Sequence, residues 1–515
     1  MAVARGNFDA SVVVEHPGPN YSVPHTTLDV PRAYASLTTA RDCYILRPHV
    51  PASCAPALDA DTALTPATTE AGAYPPLYYL LVGWPSRVLS PRPAIYAMRM
   101  IGALLAAALL ASGLVSATQF RARRRSIDPR GRRSVGHLAV AGAALAVTPM
   151  ALYLAGVVNP NGLEIAGAFC LWLALLDLLS RAADPGGGRV PTRLIVRVVI
   201  AAVVVAGMRP LSPAFLALIV ATVALAAADR RSLGALWADR RVRLGLAVIA
   251  VAVLGFVAYV VANRSYDAVI GYTFADNPSR LELAHRSWAR SWTRVTQMIG
   301  LFGSLDAPLP GAVVTVWVVG VVALSALAVV VGRWRDRFMM VATLAGCVLL
   351  PVVVETISGP KTGLAWQGRY TLTVAVGAPI LAGWIIDRSG RVPRRAAVTI
   401  GIVVAVGVAT AQLIAHIRTM DRYVVGLPSS WLAHLDRGAW AGPVTPAVLL
   451  AAVALVAVAY AGWLAWLTGA SSVRSEVVVD DDAERGEQRP RQLDDLRGAE
   501  AGTPQRVGTP QPLDP

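Results

Sequence analysis

Eleven apolar runs, joined by short polar connections, make up most of this chain. They cover roughly 94–117, 138–158, 163–179, 194–208, 211–228, 244–262, 312–332, 338–357, 371–386, 396–417 and 447–467. Crossing a bilayer takes about 20 residues of helix. Backbone groups that meet lipid must be satisfied within the element itself, so such runs become helices. The pattern predicts an all-α polytopic membrane protein with about 11 transmembrane helices. Composition agrees: 55% of the residues are hydrophobic, 15% are charged, and the mean hydropathy is +0.52.

The net charge of +15 would point to nucleic acid in a soluble protein. Here the arginines crowd into short loops, so topology explains them better and no nucleic-acid partner is expected. Residues 119–134 hold Arg121, Arg123, Arg124, Arg125, Arg130, Arg132 and Arg133. Loops 181–193, 229–243, 333–337 and 387–395 are also basic, and all five fall on one side of an eleven-span chain. The positive-inside rule makes that side cytoplasmic and places the protein in the cell membrane. Three regions follow. Residues 1–93 form an extracytoplasmic N-terminal loop region with a short interfacial helix near 74–90. Residues 94–467 form the transmembrane helical domain, with an outer loop at 263–310. Residues 468–515 form a polar, disordered cytoplasmic tail. A polar segment as long as 1–93 needs a preceding span to carry it across, so a first span is expected upstream of Met1.

The outer face collects the unusual polar residues. Asn159-Pro160-Asn161-Gly162-Leu163-Glu164 reads as a tight turn between two spans. Glu164 is costly there unless it faces protein or water. Arg209-Pro210-Leu211-Ser212-Pro213 separates the fourth and fifth runs. In the 263–310 loop, Trp288, Trp292 and Val295 recur at helical spacing, as do Arg286, Arg290 and Arg294. This fits an interfacial helix with its arginines toward phosphates, or equally an ordinary solvated face. Arg99, Arg209 and Arg369 lie at outer span ends, with Lys361 nearby. One such cation could simply snorkel; together they could hold the phosphates of a lipid carrier. Cys43 and Cys54 lie close together in the outer region, where a disulfide is plausible. No spacing fits a metal site, and no nucleotide-binding or nucleophile-elbow motif is present. No cofactor is expected.

Taken in order, Tyr74-Pro75-Pro76-Leu77-Tyr78-Tyr79, Met98-Arg99, the Asn159–Glu164 and Arg209–Pro213 segments, Gly303/Asp306/Pro308 and Gln367-Gly368-Arg369-Tyr370 carry a resemblance. Over roughly 23–426 the chain resembles a family of bacterial multi-pass membrane proteins catalogued as domain of unknown function 2142. That family is similar to the C-type membrane glycosyltransferases, which take sugars from polyprenyl-phosphate donors on the outer face. The resemblance implies a C-type architecture and a lipid-linked sugar donor used in cell-envelope glycan assembly. Asn159, Asn161, Glu164, Tyr74, Tyr78, Asp306, Gln367 and Tyr370 would bind substrate. Arg99, Arg209, Lys361 and Arg369 would bind lipid phosphate. Members of the family carry a first span and then an acidic motif with a nearby His. This chain begins just after that point, so the catalytic carboxylate is expected upstream of Met1. Asp9 and Asp29, among the nearest remaining acids, lack its context. Two other readings stay open: a transporter or flippase for a lipid-linked glycan, and a non-catalytic membrane scaffold.

Overall fold

The computed structural model describes residues 2, 3, 6, 12–18, 21–58, 61–127, 138–184, 189–265, 271, 272, 274, 276–440 and 442–469. Asp9, residues 128–137 of the first arginine-rich loop, and the tail beyond 469 lie outside them.

The N-terminal region is a folded cap. Strands β1 (Val13–Gly18), β2 (Tyr21–Pro31) and β3 (Leu64–Thr69) pair antiparallel with β2 in the middle, and β4 (Gly271–Tyr272) adds to β2. Helix α1 (Arg32–Ala40) follows β2, and a Cys43–Cys54 disulfide closes the next loop with the Cα atoms 6.1 Å apart. The all-α expectation therefore needs amending outside the apolar runs. Threonines and valines along β2 and β3 suit a pleated, half-buried surface. Thr26 is buried against Gly72, where a Cβ would come within 2.3 Å of it. The stretch expected as an interfacial helix near 74–90 is short α2 (Leu77–Gly83) and one 3-10 turn, Trp84–Arg87, leaving Leu80, Trp84 and Val88 exposed.

The helical body then runs α3 (Pro91–Ile127), α4 (Leu138–Ala146), α5 (Pro149–Ala155), α6 (Pro160–Ala182), α7 (Thr192–Ala206), α8 (Ser212–Ala227), α9 (Arg230–Ala238) and α10 (Arg240–Ala262). After β4 come α11 (Arg280–Ala289), α12 (Ser291–Gly300) and a small hairpin, β5 (Leu301–Phe302) with β6 (Ala307–Pro308). The chain closes with α13 (Gly311–Val331), α14 (Trp334–Thr362), α15 (Gly368–Ala375), α16 (Gly377–Ser389), α17 (Arg394–Val424) and α18 (Pro446–Gly469).

All eleven apolar runs are helical, but eleven full spans are not what they form. Among the described residues, eight helices are long and apolar enough to cross a membrane: α3, α6, α10, α13, α14, the α15–α16 stretch, α17 and α18. Helices α4 and α5, bent by 60°, make a ninth if taken as one span. The bend has a cause in the sequence. Pro149 cannot donate an amide to a continuous helix, and Thr148 caps α5 by accepting from the Ala151 amide at 3.2 Å. The remaining two runs become α7 and α8, of 15 and 16 residues, shorter than a typical span. They are separate helices, as the intervening Arg209–Pro213 segment predicts.

Helix α6 is the centre of the body and is buried along nearly its whole length. Small residues let neighbouring backbones touch. A Cβ on Gly142 of α4 would lie 2.1 Å from the Pro379 carbonyl of α16, and one on Gly383 of α16 would lie 2.1 Å from the Leu138 carbonyl of α4. At the periphery, α10 and α18 expose Val251, Leu254, Leu455 and Val458, as lipid-facing helices do.

Candidate functional site

The first turn of α6 differs from the six-residue turn expected. Asn159 is the N-cap: its side-chain oxygen accepts from the Asn161 amide at 2.9 Å. Pro160 takes the first helical position, where its missing amide costs nothing. Asn161 and Glu164 are thus helical and buried, and Glu164 is fully enclosed. Gly162 is needed there, because a Cβ would meet the Leu154 carbonyl at 2.4 Å.

Glu164 accepts a hydrogen bond from the Ser212 hydroxyl. The same hydroxyl oxygen accepts from the Arg209 amide at 3.0 Å. The carboxylate therefore fastens the α7–α8 turn to α6. Thr373 of α15 lies beside it.

This fastening positions Arg209, a half-buried residue ringed by aromatics. Its guanidinium lies 4.1 Å from the centre of the Tyr370 ring and 5.6 Å from that of Tyr74, and donates to the Tyr74 hydroxyl at 3.4 Å. Arg369 approaches the same Tyr370 ring at 5.6 Å. Burial alone would lower the Arg209 pKa, but Tyr74, Tyr370 and the Glu164 carboxylate outweigh it and raise the value. Trp366 meets Tyr370 and Phe215 edge-on, at 5.9 and 6.4 Å between ring centres. The Nε atoms of Arg209 and Arg369 and Oε1 of Gln367 are buried with no hydrogen-bond partner among the described residues.

A second buried carboxylate holds the Trp366 loop. Glu355 of α14 accepts from the Trp366 amide at 2.8 Å, from the Ser287 hydroxyl at 2.7 Å, and from Arg294. Gln297 accepts from the Gly368 amide at 2.6 Å. Of the three arginines expected to face phosphates, Arg294 is turned inward, whereas Arg286 and Arg290 have partners within the protein but stay partly or fully exposed. Arg294 is 4% exposed against Glu355, Arg290 donates to the Leu364 carbonyl at 3.1 Å, and Arg286 pairs with Asp276 at 2.5 Å and with Glu282. Leu281, Trp288 and Trp292 are the large hydrophobic residues that α11 and α12 expose.

Tyr74, Glu164, Arg209, Arg369 and Tyr370 thus come together, with Gln367 capping α15 beside them. The other expected residues lie apart. Arg99 donates to the Gly156 carbonyl at 2.9 Å, at the end of α5. Lys361 is exposed in the last turn of α14. Tyr78 is buried with its hydroxyl at the Asn159 backbone, and burial pushes its pKa up to about 12. Asp306 pairs with the fully buried Arg422 at 2.6 Å. Arg422 also donates to the Tyr44 and Val50 carbonyls, both at 2.8 Å, which pins the disulfide loop to α17.

Sequence reasoning missed Ser212 and Thr373 as partners of Glu164, the Arg294–Glu355 pair, Arg422, and a buried Asp421–His434 contact of 2.7 Å. One signal was available, since Glu355 is a carboxylate inside the 338–357 apolar run. Among the described residues, no group of three or more His, Cys, Asp or Glu side chains is placed to hold a metal ion.

Residues 11–378 match a family model described as "Predicted membrane protein (DUF2142)". No curated protein and no solved structure matches the chain.

Proposed function

The chain belongs to the DUF2142 family of predicted membrane proteins, and from that premise we propose that this integral membrane protein transfers sugar from a polyprenyl-phosphate donor at the Arg209–Arg369 cluster. One observation carries the proposal: two guanidinium groups converge on the Tyr370 ring at a membrane-protein surface, each with a buried Nε that has no hydrogen-bond partner among the described residues. Guanidinium forks match phosphate oxygens. In sugar transfer, negative charge develops on the departing polyprenyl phosphate, and fixed cations in a low-dielectric site favour that state. The Tyr74 and Tyr370 hydroxyls lie against the same arginines and are the kind of group that binds sugar hydroxyls.

The base is left unassigned. Glu164, Asp306 and Glu355 are each tied to a serine or an arginine. Each of these contacts also positions a helix or a loop.

The test uses purified protein in liposomes loaded with a polyprenyl-phosphate sugar and an acceptor. The expected result is release of free polyprenyl phosphate that Arg369→Ala abolishes. Unchanged release in Arg369→Ala would remove Arg369 from the site. Movement of the intact lipid-linked sugar without release would favour a transporter, a reading supported by the 60° break between α4 and α5. Neither activity would leave a scaffold.

A further inference from the structure

We propose that Arg197, with Ser112 and Ser116, binds the phosphate of an anionic membrane lipid in the leaflet next to the arginine-rich loops. The inference is independent of the transferase reading, because it concerns the opposite end of the helices.

Arg197 lies five residues into α7. At 1.5 Å per residue this is about 8 Å along the helix, a depth that a headgroup phosphate and a snorkelling arginine can share. Its Nε donates to the Ser112 hydroxyl at 2.8 Å and its Nη1 to the Ser116 hydroxyl at 2.7 Å. These serines stand one turn apart on α3.

Other arginines at this end of the molecule meet a negative group. Arg181 pairs with Asp177 at 2.7 Å, Arg241 with Asp239 at 2.6 Å, and Arg388 with Asp336. Arg335 caps the last carbonyls of α8, donating to Ala228 at 2.8 Å. Among the described residues, Arg197 is met by two neutral hydroxyls and no carboxylate. A cation at this depth without a counter-charge is costly, and an anion would relieve the cost.

The surroundings select the occupant. Val196 and Ile200, flanking Arg197 on α7, are 47% and 51% exposed, as is Val115 of α3 at 41%. The cation therefore opens onto an apolar, lipid-facing surface. A ligand carrying both a phosphate and acyl chains satisfies both features, whereas free phosphate satisfies only the first.

The experiment reconstitutes the delipidated protein into phosphatidylcholine nanodiscs with increasing phosphatidylglycerol. Lipid retained per protein is then read by native mass spectrometry. Wild type should retain phosphatidylglycerol about five-fold better than Arg197→Gln, the share of one arginine near a membrane surface. Arg193→Gln, one turn nearer the helix end and exposed, should change retention less. Equal retention by wild type and Arg197→Gln would overturn the site. Displacement of the lipid by inorganic phosphate at tens of millimolar would also overturn it, by making free phosphate the ligand. Should Arg197→Gln fail to fold, Ser112→Ala with Ser116→Ala removes the two hydroxyls that hold the guanidinium and should lower the selective retention of phosphatidylglycerol. Retention equal to wild type in that pair would equally overturn the site.

Discussion

Glu164 and Glu355 are both carboxylates buried in apolar helices, yet their surroundings differ in one decisive way. Glu355 receives an arginine directly, together with a serine and a backbone amide. Its charge is matched inside the protein, and so is the charge of Arg294. Glu164 receives the Ser212 hydroxyl, while the nearest cation, Arg209, stacks on Tyr370. The first arrangement closes a charge pair; the second leaves a guanidinium held by aromatic faces. A buried pair whose charges already match has little net charge left for a ligand. An arginine kept over tyrosine rings still has donors to offer a phosphate. Under the proposed function, the difference separates a structural region from a binding region, although both carry a charge in apolar sequence.

The most forceful way to break the comparison is to remove half of the closed pair. Arg294→Ala leaves Glu355 buried without its cation and should destabilise the fold by about 3–5 kcal/mol. Steric-trapping measurements in detergent would read this loss. Replacing both residues with apolar side chains of similar size should recover most of it. A small effect of Arg294→Ala would mean that Glu355 is not charged against Arg294, and the contrast with Glu164 would collapse.

A middle-sized effect sharpens the other side. Glu164→Gln keeps an acceptor for Ser212 but removes the charge, so the α7–α8 turn should stay in place. The stability change should be about 1 kcal/mol or less, the scale of one hydrogen bond. Release of polyprenyl phosphate should fall more than stability does, because Arg209 loses the carboxylate that acts on it through space. A large stability loss with unaltered release would make Glu164 a purely structural residue like Glu355.

How much of this was legible in the sequence depended on the range of the contact. The apolar runs announced helices because burial in lipid leaves the backbone no other choice. Their count as spans was less legible, since length alone did not reveal that Pro149 bends one run or that α7 and α8 stop at 15 and 16 residues. The cap sheet was hidden for a different reason. The strands beside β2 are six residues or fewer, and β2 is completed by β4, more than 200 residues later in the chain. In the candidate site, Glu164, Arg209, Arg369 and Tyr370 stood out as charged or aromatic residues at span ends, and the structure brings them close together. Their partners did not stand out. Ser212 and Thr373 are ordinary helix residues until α8 and α15 pack beside α6. Arg294 showed the hazard of reading a helical wheel alone: its spacing with Arg286 and Arg290 was real, but tertiary packing turned it inward to Glu355.

The smallest expected effect is also the most discriminating for the open region. Tyr370→Phe keeps the ring that faces both Arg209 and Arg369, and removes only the hydroxyl. The quadrupole that attracts the cations remains, so stability should change by no more than about 0.5 kcal/mol. If the hydroxyl contacts a sugar, release of polyprenyl phosphate should still fall about five-fold, the share of one hydrogen bond. If the ring serves only to seat the two arginines, Tyr370→Phe should match wild type, while Tyr370→Leu should lose activity by letting the guanidinium groups move. Measuring both variants therefore separates a tyrosine that touches substrate from one that positions the cations. Glu355 offers no such variant, because the group it would lose is the one that matches Arg294.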